Sequence, residues 1–220
     1  MGETYWTLGG AKGHLLATLK DRRSDLNFVV NDLSKEACSY AASTYGFQTI
    51  CGDVNALERI SCQFDVIIMS DVIYYEREVH RLWRLLPRLV SENGAVIIRV
   101  PNKLALIRLW QFMIRAITRP VDQEMQDHVK FFNPEQLYVF SRRYLVMRLK
   151  KLGFSQVTAI PSELLVQGQG DFRHLLFYYL GKFLSILSCG KSIITPSLLV
   201  IAKVNDSTET GGRDCRRPRG

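Results

Sequence analysis

The chain has 220 residues, of which 47% are hydrophobic and 23% charged, with five cysteines and a net charge of +8. This is the composition of an ordinary globular domain with a sizeable core. It excludes a disordered chain, a collagen-like repeat and a disulfide miniprotein. The cysteines, at positions 38, 51, 62, 189 and 215, form neither a C-x-x-C pair nor a zinc spacing, which points to reduced thiols and a cytoplasmic protein. The positive charge is uneven, because residues 103–151 hold ten Lys and Arg against four Asp and Glu. No basic segment followed by an apolar run opens the chain, so no signal peptide is expected. The longest apolar stretches, 104–117 and 175–189, are interrupted by Arg108 and Arg115 and by Gly181 and Lys182, and neither reaches the ~20 apolar residues of a spanning helix.

In chain order, residues 5–8 read as a short strand, followed by a glycine loop and a helix over 13–19. Residues 27–31 read as a buried strand and 35–45 as a helix, with Ser34 as N-cap and Gly46 as its stop. A third strand covers 49–51. The apolar run FDVIIM at 64–69 has the character of a central parallel strand. Residues 76–90 place Val79, Leu82, Trp83, Leu86 and Leu89 on one helical face. Asn93-Gly94 reads as a turn before a strand at 95–100. This alternation predicts a parallel sheet with helices on both faces. Beyond it the pattern changes to an apolar, arginine-studded helix at 103–117 and a helix opened by Pro134 and running to Leu152. A strand at 156–160, an apolar helix or helical hairpin at 172–189 and a last strand at 198–204 follow. We expect one domain over 1–204, with cap helices near 103–132 and 168–192, and a disordered basic tail over 205–220.

Four segments that follow predicted strands carry candidate chemistry. The loop Leu8-Gly9-Gly10-Ala11-Lys12-Gly13 joins a strand to a helix, where backbone N–H groups and the helix dipole favour a polar ligand. Its glycines do not follow the dinucleotide pattern, since His14 stands where a Gly or Ala is wanted. Asp32 ends the second strand, where a carboxylate accepts both hydroxyls of a ribose. Leu33 follows it. Asp53 and Val54 follow the third strand, and an acid there suits an adenine amino group. Ser70 and Asp71 follow the fourth, ahead of Tyr74 and Tyr75. Each acid alone reads more readily as a helix cap or a solvated loop residue. Together, at the carboxyl ends of parallel strands, they read as a nucleoside site.

With these residues in place the sequence resembles the class I S-adenosylmethionine-dependent methyltransferases of the small-molecule type. The similarity runs from about residue 5 to 160, through NDLSKEACSYA, GDVNALE, FDVIIMSDVIYY, LLPRLVSENGAVIIRVPN, HVKFFNPEQL and KKLGF. The resemblance implies a Rossmann-like α/β fold: a seven-stranded, mostly parallel sheet with its last strand antiparallel and helical cap insertions. It implies S-adenosyl-L-methionine as cofactor, held by Leu8, Gly9, Gly10, Ala11, Gly13, Asp32, Leu33, Asp53, Val54, Ser70 and Asp71, and no metal. Two positions depart from the family loop. Thr7 stands where an acid is usual, and Ala11 replaces the middle glycine, which strains the loop if its φ is positive. The alternative reading is therefore a catalytically degenerate or truncated methyltransferase-fold domain that binds a nucleoside or a partner.

Methyl transfer needs the donor and the acceptor held in line, and a base only if the acceptor must lose a proton. Tyr74, Tyr75 and His128 are the candidates for catalytic roles. His14, His80 and His174 show no partner pattern. The apolar, basic helices suit an apolar or amphiphilic small-molecule acceptor, or peripheral contact with a membrane surface. A plain helical cap is the competing reading, with Leu106, Leu109, Trp110, Met113 and Ile117 buried on the sheet and Arg108, Arg115 and Arg119 solvated. The absence of interleaved exposed aromatics argues against nucleic acid. The acceptor atom and the oligomeric state are not legible.

Overall fold

The computed structural model describes residues 2–106, 108–110, 113, 136–162, 172–188 and 192–204. The elements are β1 (Thr4–Leu8), α1 (His14–Arg22), β2 (Asn27–Asp32), α2 (Lys35–Tyr45), β3 (Gln48–Cys51), α3 (Val54–Glu58) and β4 (Phe64–Ser70). After a single 3-10 turn at Ile73–Tyr75 come α4 (Val79–Leu89), β5 (Val90–Pro101), α5 (Arg142–Lys151), β6 (Gln156–Ser162), α6 (Phe172–Leu187) and β7 (Ser197–Lys203). The strands form one seven-stranded sheet in the order β3-β2-β1-β4-β5-β7-β6. β7 runs antiparallel to both of its neighbours, β5 and β6, and the pairings among β1–β5 are parallel. The fold is thus the expected Rossmann-like one.

Alternation along the strands sorts side chains to two faces. Trp6, Val29, Ile67, Met69, Val96 and Ile98 face α3, α4 and α5 in the larger core. Phe28, Val30 and Ile68 face α1 and α2 through Leu16, Ala41 and Phe47. The Trp6 and Phe64 rings stack 4.9 Å apart in the larger core, a pairing worth about 0.5–1.5 kcal/mol beyond area burial. α4 carries Pro87 inside it, yet keeps all five apolar residues of its expected face buried. Sheet order reverses between β1 and β4, so the loops after these two strands diverge and leave a crevice at their carboxyl ends.

Several expectations are corrected. The helix expected from Pro134 starts at Arg142, where the Ser141 hydroxyl accepts the Tyr144 N–H at 3.3 Å. Residues 136–141 cannot join it, because their backbone bonds elsewhere: Leu137 N–H donates to Tyr74 O, and Phe140 O accepts from Lys103 N–H. The Asn93-Gly94 turn is absorbed into β5 as a bulge, since Phe64 pairs with Val90 and Val66 already with Ala95. The helix expected from residue 76 starts at Val79. α3, which was not expected, is nucleated by Asp53. Cys38 and Cys51 are free thiols, but Cys62 is disulfide-bonded. Linear spacing cannot reveal a pair that only folding brings together. In the 103–117 segment the described part of the stripe that the plain-cap reading would bury is turned outward beyond the half-buried Leu106. Leu109, Trp110 and Met113 are exposed, and it is the Arg108 guanidinium that is largely buried, which pulls its pKa down. His128, Arg115, Ile117, Arg119 and the 205–220 tail lie outside the described residues.

Candidate functional site

The chain leaves β1 through a loop built on left-handed backbone. Gly9 has φ 61° and Gly13 φ 80°, the region that only glycine enters without cost. The Val72 side chain fills the space a Cβ on Gly9 would need, and the Thr7 hydroxyl does the same at Gly10. Gly10 N–H donates to Asn31 O and Gly13 N–H to Gly10 O, both at 2.9 Å. Ala11 also has a positive φ, 45°, a strain of about 1–2 kcal/mol for an L-residue. Gly13 serves as N-cap of α1 without a side-chain cap, so the first N–H groups of that helix remain available to a ligand.

Asp32 binds this loop to β2. One carboxylate oxygen accepts the Ala11 N–H at 2.8 Å and the other the Ser34 N–H at 2.9 Å. Each oxygen keeps a further lone pair for a hydroxyl donor. Beside it Leu33 is 72% exposed, an apolar surface with no core to join. Asp53 is exposed and caps α3: it accepts from Asn55 N–H and from the Asn55 amide, both at 2.9 Å. These bonds, the backbone one first, hold its carboxyl below the usual range. Val54 is buried and anchors the start of that helix. Asn31, which sequence reasoning missed, ties the ends of β2 and β3 together through its amide, donating to Ile50 O and Gly52 O.

On the other side of the crevice, Asp71 adopts φ 56°, a conformation that Asp tolerates better than most residues. Its N–H donates to Arg99 O at 3.0 Å, and its carboxylate meets Arg99 Nη1 at 2.9 Å and the Ser70 hydroxyl at 3.3 Å. The side chains of Arg99 and Asp71 are 13% and 34% exposed. A cavity of about 230 Å³ lies between the two halves, with Thr7, Gly9, Gly10, Ser70, Asp71 and Arg99 in its wall. Thr7 is 3% exposed, and its hydroxyl has no hydrogen-bond partner among the described residues. Sequence reasoning missed Arg99. The available signal was a lone cation in the run AVIIRV, on the opposite face from Val96, Ile98 and Val100, since a mostly buried cation needs a partner.

Tyr74 is buried and Tyr75 half-exposed, with ring centroids 4.4 Å apart. Burial, and then the negative charge of Asp71, push the Tyr74 phenol well above its ordinary pKa. It therefore stays protonated, which makes it a hydrogen-bond donor and a poor base. Neither ring lines the cavity. His14 bonds to the Tyr45 hydroxyl at 2.9 Å and is not among the residues in the cavity wall. Among the described residues there is no group of His, Cys, Asp and Glu that could hold a metal ion.

Residues 6–98 match the family model of the methyltransferase domain. That stretch is similar to the methyltransferase domain over somewhat less than half of the chain. Solved structures share its fold over nearly the whole length. A SAM-dependent methyltransferase from Archaeoglobus fulgidus aligns with 92% of this chain and 86% of its own, at 16% identity and a TM-score of 0.59. A possible histamine N-methyltransferase from Thermotoga maritima aligns over 93% and 83%, at 14% identity and a TM-score of 0.56. The plantazolicin methyltransferase BpumL, solved with a desmethyl substrate analogue and SAH, aligns over 92% and 77%, at 14% identity and a TM-score of 0.58. At these identities the likeness establishes the methyltransferase fold alone. The sequence has no significant match among curated proteins. The matched residues run from within β1 through α4 into β5, and stop just before Arg99.

Proposed function

We propose that the chain binds S-adenosylmethionine in this crevice and transfers its methyl group to a small-molecule acceptor of apolar or amphiphilic character. The observation that carries the reading is the convergence, at the switch point of the sheet, of a left-handed glycine loop, a buried hydroxyl without a partner and an Arg–Asp pair. The donor fits these groups chemically. Its amino-acid end is a zwitterion, and Arg99 and Asp71 offer one charge of each sign, with the Ser70 hydroxyl beside them. Its ribose diol suits the free lone pairs of Asp32. Its adenine suits the exposed face of Leu33 and the carboxylate of Asp53.

When bound, the sulfonium supplies an activated methyl carbon open to in-line attack. The residues of the chain provide position. The loop from Gly9 to Gly13 and Asp32 would orient the nucleoside, while Arg99 and Asp71 would fix the amino-acid end. Tyr74 and Tyr75 wall the acceptor side, where the protonated Tyr74 phenol donates a hydrogen bond. His128 is proposed as a further acceptor-side residue.

Arg99→Met tests the reading with two ligands measured by calorimetry. S-adenosylhomocysteine carries the amino-acid end, whereas 5′-methylthioadenosine lacks it. Loss of a charge-assisted bond is expected to weaken the first about tenfold to a hundredfold and to leave the second nearly unchanged. Equal weakening of both, or of neither, would remove Arg99 from the site.

A further inference from the structure

We propose that α6, together with the basic cavity beside it, is a docking surface for an anionic lipid bilayer. The helix turns a stripe of Leu176, Tyr179, Leu180, Phe183, Ile186 and Leu187 to solvent, with Phe183 56% and Ile186 68% exposed. These positions recur at the helical spacing of one continuous face. The opposite side is fixed to the body of the protein. Gly181 is buried and lies so close to Ile194 O and the Thr195 Cα that an added Cβ would sit 3.2 Å from each. The outward stripe is therefore set by close packing behind it.

A second helical segment extends the patch. Leu109, Trp110 and Met113 are exposed, and the Trp110 ring rests on Phe177 of α6 at 5.3 Å. An apolar surface of this extent marks a contact with a partner or a membrane. Charge favours the membrane. A cavity of about 1010 Å³ is lined by Lys103, Arg143, Lys150 and Lys151 around the apolar Leu104 and Met147, and no Asp or Glu stands among its described lining residues. Arg143, Met147, Lys150 and Lys151 are exposed on one face of α5, at i, i+4, i+7 and i+8. The cavity and the apolar stripe share a border: Lys103, Leu104, Ser192 and Ile193 line the cavity, and the adjoining Leu106 N–H donates to Ile194 O, against which α6 packs.

Cations at the edge of an apolar helix match phosphate headgroups above acyl chains. Trp110 and Tyr179 are the aromatic types that settle at that boundary. No helix among the described residues is long and apolar enough to cross a membrane. A helix of 16 residues spans about 24 Å at 1.5 Å per residue and would lie in the plane of the interface.

The test is co-sedimentation of the full chain with vesicles of phosphatidylcholine, alone or mixed with phosphatidylserine, and it is read without any methyl transfer. The chain is expected to partition at least about tenfold more strongly to the mixed vesicles and to be released by salt. Arg143→Glu with Lys150→Glu should lower partitioning about tenfold or more. Phe183→Glu with Ile186→Glu should abolish it. These four side chains are exposed, so circular dichroism should stay that of the parent. A folded chain that ignores both vesicle types, or binds them equally, overturns the proposal. So does binding that survives the Phe183 and Ile186 changes. A homodimer that those same changes dissolve, in a chain that leaves vesicles alone, would assign the surface to a second copy and overturn it as well.

Discussion

Replacing Thr7 by Val should stabilise the ligand-free protein. Thr7 lies on β1 opposite Val30 and Ile68, is 3% exposed and leaves its hydroxyl without a partner among the described residues. A buried polar group left unsatisfied costs about 1–3 kcal/mol. Valine keeps the β-branched shape that suits a strand and exchanges that hydroxyl for a methyl. The expected gain is about 1–2 kcal/mol. For a chain of this size each kcal/mol raises Tm by about 2–4 °C, a shift that thermal unfolding followed by circular dichroism resolves, with urea unfolding as the check at 25 °C. If the hydroxyl serves the bound donor, the same variant binds S-adenosylhomocysteine more weakly although it melts at a higher temperature. A lower Tm in Thr7→Val would refute the reasoning, because it would mean that the hydroxyl is already bonded in the free protein.

Ala11→Gly should relieve the left-handed strain at φ 45° and raise stability by about 0.5–1 kcal/mol, after the entropy cost of glycine is subtracted. Urea unfolding that shows a loss would mean that the Ala11 methyl makes a contact worth more than the strain. Asp32→Ala removes the acceptor of two backbone N–H groups and should weaken S-adenosylhomocysteine binding by about 1.5–3 kcal/mol, and unchanged affinity in a titration would take Asp32 out of the site. Tyr74 is held neutral by burial and by Asp71, with its pKa above the ordinary value of 10.0. Its contribution to stability is therefore complete below pH 10 and falls away as pH rises beyond it. Tyr74→Phe should flatten that alkaline loss, and an identical pH profile in the two proteins would count against the buried phenol.

The central strands were readable because a buried parallel strand needs an apolar run, as in FDVIIM and AVIIRV. The glycine loop was readable because positive φ needs glycine at Gly9 and Gly13. What stayed hidden depends on contacts between distant parts of the chain. The Asn93-Gly94 turn signal yields to pairing of β5 with β4, which takes up the extra residues as a bulge. The helix expected from Pro134 loses its first turns because the backbone at Leu137 and Phe140 finds partners at Tyr74 and Lys103. Arg99 enters the site only once β5 lies beside β4, which places it next to Asp71. The apolar periodicity of α6 is the same whether the stripe faces a core or solvent. Only the packing of Gly181 on Ile194 and Thr195 decides which.

The central claim is that the crevice between β1 and β4 holds S-adenosylmethionine. Isothermal titration of the folded full chain with S-adenosylhomocysteine tests it most directly. The account predicts saturable one-to-one binding with Kd between about 1 μM and 1 mM, the range usual for enzyme ligands, weakened by both Asp32→Ala and Arg99→Met. A folded chain that shows no binding heat at several temperatures with millimolar ligand would contradict it.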